Sequence, residues 1–188
     1  FNTLAAERDC DGDQLRSLVI AQSATGDYPY LRTHKVEVGL YTLQPGGSLA
    51  ATQVIPAVIE GASTDIPLPP GTPCPLLVNP NHNDWAYAQI SLGDAERALL
   101  ADRLAQVEDP LGRSMFIQAL ADLAAQGEMP LADFAQQALA LADIEQNARV
   151  LEQTLGLISF AFDRMERLRP ETTGDLDRLL PVAEGMAL

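Results

Sequence analysis

The chain changes character along one stretch, Leu76-Leu-Val-Asn-Pro-Asn-His-Asn-Asp-Trp-Ala-Tyr-Ala-Gln-Ile-Ser-Leu-Gly-Asp94. Before it, short apolar runs alternate with Pro and Gly turns, a pattern typical of β-strands. After it, apolar residues recur at helical spacing. Nine of the thirteen prolines lie before position 93, which supports a boundary there. Within the stretch we predict a turn over 79–84, the last strand over 85–92, and a helix N-cap at Asp94.

Upstream of this stretch the sequence predicts about six strands with turn chemistry between them. Residues 30–43 alternate with a period of two, which indicates a long strand with one buried face. Pro56 lies inside the next apolar run and favours a sheet edge or a bulge there. The other predictions are strands over 16–23, 48–60 and 76–78, irregular structure before Arg16, and a proline-rich connection over 66–75 that cannot be a central strand.

Downstream, the sequence predicts five helices joined by short connections. The first carries Leu100, Leu104 and Val107, and the second begins at Asp109-Pro110 because an N-cap residue precedes a proline there. The second stops at Gly127, Pro130 opens the third, a fourth from about Ile144 ends at Pro170, and a fifth begins near Asp175.

Short connections favour antiparallel helical hairpins, and two successive hairpins suit the start of an armadillo- or HEAT-like α-solenoid. The fold class is therefore α+β in two segregated parts. We predict a small antiparallel β-sandwich over 1–92 and an α-helical domain over 93–188, which we expect to be incomplete.

Composition excludes several classes of function. The net charge is −14, with 12 basic and 26 acidic residues, whereas binding a phosphate backbone requires clustered Lys and Arg. No apolar run is long enough to cross a bilayer, so we expect neither a nucleic-acid nor a membrane partner. Cys10 and Cys74 lie in different loops without a metal-binding spacing, and we interpret them as free thiols in a reducing compartment, the cytoplasm.

Catalytic patterns are absent. The chain has two histidines, His34 and His82, so a His-Glu-x-x-His zinc helix is impossible. We expect His34 to be packed or hydrogen-bonded in a strand and His82 to be solvated in a turn. The acidic loop 9–13 lacks the EF-hand spacing and predicts a solvated hairpin turn. A zinc site from Cys10, Cys74, His34 and His82 stays open as a remote alternative, as does an acid–base pair among Asp102, Glu108, Asp109 and Asp122.

Several segments resemble, in the same order, the C-terminal half of aminopeptidase N-type zinc metallopeptidases. The most recognisable are Leu31-Arg-Thr-His-Lys-Val-Glu-Val-Gly-Leu-Tyr, Leu77-Val-Asn and Val107-Glu-Asp-Pro-Leu-Gly-Arg. Similar segments at Phe1-Asn-Thr-Leu, Val19-Ile-Ala-Gln-Ser, Tyr87-Ala and Gly127-Glu-Met-Pro-Leu-Ala-Asp-Phe extend the resemblance to about Ile158. Thr33 departs from it where proline is common, and Gln89 where lysine is frequent.

The resemblance implies a β-sandwich that follows the catalytic domain, and the beginning of a C-terminal helical domain. It implies a parent enzyme that removes N-terminal residues from peptides with zinc, while no catalytic, cofactor-binding or metal residue falls in this chain. The implied partners are the catalytic domain of the same polypeptide and peptide substrates, with the helical part gating access to the active site. The alternatives are a stand-alone protein-binding adaptor and an aminopeptidase-like protein that has lost its zinc site.

Overall fold

A computed structural model describes residues 1–168 and 173–186 of the chain. The strands are β1 (Asn2–Asp11), β2 (Gln14–Ala24), β3 (His34–Leu43), β4 (Leu49–Ile59), β5 (Ser63–Asp65), β6 (Leu77–His82) and β7 (Ala88–Ser91). The helices are α1 (Asp94–Arg103), followed by a 3-10 turn (Leu104–Gln106), then α2 (Pro110–Gln126), α3 (Leu131–Ile144), α4 (Ala148–Arg167) and α5 (Thr173–Met186). The fold class is therefore α+β, with the strands preceding the helices as predicted.

The strands form two sheets that share one hydrophobic core. One sheet has the order β5-β2-β1-β7 and the other the order β4-β3-β6. All pairs are antiparallel except β1 with β7, which is parallel. Apolar side chains from both sheets meet in a single cluster, the layered arrangement of a β-sandwich. Its members include Leu4, Leu18, Ile20, Val36, Val38, Leu40, Ile59 and Val78.

Two features of β3 and β4 confirm the pattern in the sequence. Along β3, alternate side chains Val36 and Val38 are buried, as the period of two predicts. Pro56 lies in β4, which is an edge strand and so does not need a donor on both sides. The strand itself begins at His34, so residues 30–33 lie outside it.

The prediction of irregular structure before Arg16 is wrong. These residues form β1, which pairs with β2 around a hairpin turn at Gly12 and with β7 on its other side. Gly12 has φ 58°, a backbone conformation that favours glycine. Acidic residues such as Glu7 and Asp9 weaken the local strand signal, and pairing on both sides outweighs this weak preference.

The predicted turn over 79–84 is too long. Strand β6 continues through His82, because it pairs with β3 as far as Glu37. Only Asn83 and Asp84 turn, with φ values of 65° and 53°. Asn tolerates this left-handed conformation, and Asp does so to a similar degree. The last strand, β7, is correspondingly shorter than the predicted range 85–92.

The prediction that Cys10 and Cys74 are free thiols is wrong. They form a disulfide across 64 residues of sequence, with their Cα atoms 5.8 Å apart. The proline-rich connection brings Cys74 to the β1–β2 hairpin, where its N–H donates to the Asp13 carbonyl at 2.8 Å. A second bond nearby, from the Leu15 N–H to the Thr72 carbonyl at 2.9 Å, holds the same connection against β2. The disulfide removes the argument from free thiols for a reducing compartment.

Helix boundaries follow local capping signals at most ends. Asp109 caps α2, and Pro110 is its first residue, as predicted. The same helix stops before Gly127, whose φ of 79° and pair of closing hydrogen bonds form a Schellman motif. Asp94 is not an N-cap: Gly93 occupies that position without a side-chain hydrogen bond. Ile144 ends α3, so α4 begins later than predicted.

The start of α4 has a cap that was not predicted. The Asn147 side chain accepts hydrogen bonds from the N–H groups of Arg149 and Val150. Pro170, the predicted end of this helix, lies outside the described residues. No helix among the described residues is long and apolar enough to cross a membrane.

The chain divides into two compact units, Phe1–Met115 and Phe116–Leu188, here called the β unit and the helical unit. The β unit includes α1, whose Glu96 forms an ion pair with Arg8 of β1. In the helical unit, α3 packs against α4 and α5. The unit boundary falls inside α2, later than the change from strands to helices. The domain ranges 1–92 and 93–188 remain a prediction, as does the solenoid.

Candidate functional site

The four carboxylates considered as acid–base candidates have separate structural surroundings. Both carboxylate oxygens of Asp109 accept hydrogen bonds from backbone N–H groups at the start of α2, at 3.2 and 2.9 Å. Glu108 accepts one from the Ser48 hydroxyl, and Asp122 accepts one from Gln118 at 3.0 Å. Asp102 lies on an exposed part of α1. These contacts are capping and surface contacts, which need no catalytic role to explain them.

His34 is a packed histidine, as predicted. Its ring is buried, and its Nε2 atom lies 3.1 Å from the Asn2 side-chain oxygen. Burial, and then the nearby Arg32 guanidinium, lowers the pKa of His34 from its ordinary value. Since the amide oxygen of Asn2 can only accept, His34 Nε2 donates this hydrogen bond and is not available to a metal.

His82 is buried, so the prediction of a solvated turn histidine is wrong. It lies in β6 with its Nδ1 atom 3.1 Å from the Tyr41 hydroxyl. The ring can lie there because Gly39 has no side chain: a Cβ atom at Gly39 would be 2.9 Å from the His82 ring. Strand pairing between β3 and β6 brings the two residues together, and this pairing is not visible in local sequence.

Tyr41 is the centre of this buried group. Burial, followed by the Asp109 carboxylate, raises the pKa of Tyr41 to about 12, and a hydrogen bond with Asn79 opposes the shift. The hydroxyl lies 3.0 Å from where a Cβ atom of Gly112 would be. We call Tyr41, Asn79, His82 and Asp109 the polar joint, because together they bring the start of α2 against β3 and β6.

Three members of the polar joint, and Gly112 beside it, are far apart in sequence but belong to the segments that resemble the peptidase family. Tyr41 ends one of those segments, Asn79 ends another, and Asp109 and Gly112 belong to a third. Spacing along the chain gave no sign that they meet. The hydroxyl, imidazole and amide groups satisfy their hydrogen-bonding capacity with neighbouring groups in a buried place.

The side chains available for zinc do not fit a zinc site in this chain. Cys10 and Cys74 are joined in a disulfide, and the two histidines hydrogen-bond to different neighbours. Within residues 1–168 and 173–186, no group of three or more His, Cys, Asp or Glu residues could hold a metal ion. Zinc needs four such ligands in a structural site and three in a catalytic one.

The most unusual exposed feature of the β unit is a group of aromatic side chains, which we call the aromatic surface. Trp85 and Tyr87 are 69% and 79% exposed, and Tyr28 and Tyr30 are 73% and 75% exposed. The Tyr87 ring contacts that of Phe1, with centroids 4.6 Å apart. Sequence analysis missed this surface, although the alternation of Trp85 and Tyr87 against the buried Ala86 was a signal for it.

The helical unit has a cavity of about 530 Å³ between α3 and α5. Its apolar lining includes Leu139, Leu179 and Val182, and its rim carries the charges of Asp143 and Arg178. A concave site with an apolar floor and a few polar groups is the usual form of a small-ligand or peptide site.

Comparison with known proteins gives one informative similarity. No family model matches this chain. The chain is 24% identical over 171 residues to Aminopeptidase N of Streptomyces lividans, a similarity that covers 87% of this chain. The chain spans 20% of the length of that relative. The chain is thus a distant relative of an aminopeptidase over most of its own length.

Proposed function

We propose that this chain is a non-catalytic part of a zinc-dependent aminopeptidase, which follows the catalytic domain in the same polypeptide. The observation that carries this proposal is the similarity to Aminopeptidase N, which covers 87% of this chain but only 20% of that relative. A similarity of this kind is expected of one portion of a longer protein. The ordered segments of the sequence resemblance support the same family.

In this proposal the chemistry occurs outside the chain. Zinc in such an enzyme supplies an activated water for hydrolysis of the peptide bond after the N-terminal residue. The residues described here contribute a rigid β unit, whose disulfide and polar joint fix its strands, and a helical unit that begins a larger helical array. Peptide substrates and the catalytic domain are the proposed partners.

The proposed role of the helical unit is to shape and restrict access to the active site. The cavity between α3 and α5 supports this role, since its volume of about 530 Å³ is in the range of small-ligand sites. Arg178 at its rim offers a positive charge to the carboxylate of a peptide.

The experiment has two arms. The 188-residue chain, incubated with zinc and an aminoacyl chromogenic substrate, should give no turnover above buffer, whereas the longer polypeptide that includes it should hydrolyse the substrate. The control for the longer polypeptide is substitution of the glutamate in its His-Glu-x-x-His helix. Robust turnover by the 188-residue chain, or absence of any such helix from the longer polypeptide, would contradict the proposal.

A stand-alone adaptor is the second candidate, and the aromatic surface favours it. Aromatic residues are enriched at protein–protein interfaces, and here four of them are more than two-thirds exposed. The sequence that precedes this chain in its reading frame separates the candidates. A zinc helix there selects the peptidase, and a reading frame without one selects the adaptor or an aminopeptidase-like protein that has lost its zinc site.

A further inference from the structure

We propose that the aromatic surface of the β unit is the face that docks onto the rest of the longer polypeptide. This inference rests on the proposed function and adds to it the side chains through which the contact is made. The surface comprises Phe1, Tyr28, Tyr30, Trp85 and Tyr87, each between 60% and 79% exposed.

The amount of aromatic surface left in water is the first argument. Aromatic side chains gain more than any others from burial, yet these five remain exposed in a unit that buries Tyr41 completely. Two of the rings, those of Phe1 and Tyr87, are in contact. The backbone of Tyr30 lies next to the same strand end, since its carbonyl accepts a hydrogen bond from the side chain of Asn2. Exposed aromatic surface of this kind marks interaction sites.

The surface is held in place before any partner binds. The Asn2 side chain donates to the Tyr30 carbonyl at 2.9 Å and accepts from the Arg32 N–H at 3.1 Å. On the other side, the Glu37 carboxylate accepts from the Trp85 indole N–H at 3.1 Å. The loop backbone at Tyr30 and the Trp85 indole are therefore held before binding, and a surface held in this way loses less conformational freedom on binding, which favours a tight interface.

Charge selects among the possible occupants. Arg32 and Lys35 are exposed on the segment that follows Tyr30, and they are two of only four basic residues before position 93. A second copy of this chain, with net charge −14, is repelled by the first. Aromatic rings together with arginine are the typical composition of the energetic centre of a protein–protein interface.

The share of its aminopeptidase relative that this chain spans indicates what covers the aromatic surface. The chain spans 20% of its aminopeptidase relative, so most of a protein of that kind lies outside these residues and requires a surface to pack on. An interface within one polypeptide need not be large, and burying a few aromatic rings supplies much of its stability. The rest of the longer polypeptide is therefore the occupant that the observations favour.

Hydroxyl-radical footprinting tests this directly, because tyrosine and tryptophan are readily oxidised when exposed. The 188-residue chain and the longer polypeptide are oxidised under the same conditions, and the modification rates of Tyr28, Tyr30, Trp85 and Tyr87 are compared. We expect severalfold slower oxidation of these four residues in the longer polypeptide. Tyr41, which is fully buried, serves as the internal control and should stay protected in both.

Substitution provides the second measurement. The double variant Trp85→Ala with Tyr87→Ala should lower the Tm of the longer polypeptide much more than that of the 188-residue chain. In the chain alone these side chains are mostly exposed, and the variant loses only the Phe1 ring contact and the hydrogen bond to Glu37. Leu43→Ala is the matched control, since Leu43 is 46% exposed and lies outside the aromatic surface.

Three results would overturn the inference: equal oxidation of the four residues in both proteins, protection that appears in the 188-residue chain as its concentration rises, or protection only on adding anionic lipid vesicles. The second result would identify a second copy as the occupant, and the third a membrane. Aminoacyl-substrate hydrolysis by the same longer polypeptide separates the two proposals. Hydrolysis without protection refutes the docking face alone, and protection without hydrolysis refutes the peptidase alone.

Discussion

The disulfide and buried hydrogen bonds of the β unit join residues farther apart in sequence than the caps that end the helices of the helical unit. In the β unit a disulfide joins residues 64 apart, and buried polar groups such as His34 and His82 find partners 32 and 41 residues away. In the helical unit, the Schellman motif at Gly127 and the cap at Asn147 bond to residues within one or two turns. The two halves of one chain therefore depend on different parts of the sequence.

This difference predicts how each unit responds to damage. Losing one long-range contact should loosen several strands at once, because a sheet pairs segments that are distant in sequence. Losing a cap should weaken one helix. The variants below are compared by hydrogen exchange, which reports the free energy of opening separately for strand and helix segments.

The largest expected effect comes from the disulfide. Replacing both Cys10 and Cys74 with serine should lower the stability of the β unit by about 4 kcal/mol, from the chain entropy of a closed loop of this length. Exchange in β1 and β2 should accelerate, while α3 and α4 keep their protection. A reducing agent should give the unsubstituted chain the same behaviour and leave the double variant unchanged. Equal loss of protection in both units would contradict the separation.

Crowding the polar joint should have the next largest effect. Gly39→Ala places a Cβ atom 2.9 Å from the His82 ring, so the strands must shift, at a cost of about 2 kcal/mol. Gly46→Ala is the matched control, because a Cβ atom there meets nothing within 4 Å. Hydrogen exchange of the β3 amides, measured for both variants, gives the difference in their free energies of opening. Similar stability of the two variants would show that His82 moves aside freely.

Removing the hydroxyl of Tyr41 tests the same joint through pH. Tyr41→Phe removes the hydroxyl partner of His82 Nδ1 and one of the hydrogen bonds of Asn79, and should cost about 1.5 kcal/mol near neutral pH. The folded pKa of Tyr41, about 12, is higher than its ordinary value of 10.0, so the unfolded chain releases this proton first. The stability of the unsubstituted chain should therefore fall as pH rises from about 10 towards 12.

The Phe variant provides the check on that titration. It should lack this component of the alkaline loss, which is seen by comparing denaturation midpoints of the two proteins across the same pH range. If both proteins lose stability in parallel, the proton of Tyr41 is not responsible.

The smallest expected effect is confined to the helical unit. Asn147→Ala removes the side chain that accepts hydrogen bonds from two N–H groups at the start of α4, and should cost about 1 kcal/mol. Asn147→Asp, which keeps an acceptor at the same position, is the control and should retain nearly all of that stability. Faster exchange should appear in α4 and not in β1–β4. A response in the strands would show that the units unfold together.

The sequence predicted several helix ends more accurately than it predicted the strands, for a physical reason. Asp109-Pro110 and Gly127 mark helix ends because capping depends on residues within one turn of each other. Strand β1 was missed, since its pairing with β2 and β7 compensates for acidic residues of low strand propensity. Burial of His82 was missed because it depends on a glycine in a different strand.

Of the candidate sites, too, one could be judged from the sequence alone and another depends on the folded chain. Absence of a His-Glu-x-x-His helix follows from two histidines and needs no structure. The aromatic surface could have been suspected from the parity of Trp85 and Tyr87, but its extent depends on the loop whose Tyr30 carbonyl bonds to Asn2 and on the contact between Phe1 and Tyr87.

The sequence by itself determined the class of the fold, the change from strands to helices after Leu92, and the absence of a catalytic zinc helix, since each depends on local periodicity or on residue counts. Tertiary structure decided the disulfide between Cys10 and Cys74, the polar joint around Tyr41, and the unit boundary inside α2. These depend on which distant segments come together, and strand pairing fixes that register only in the folded chain.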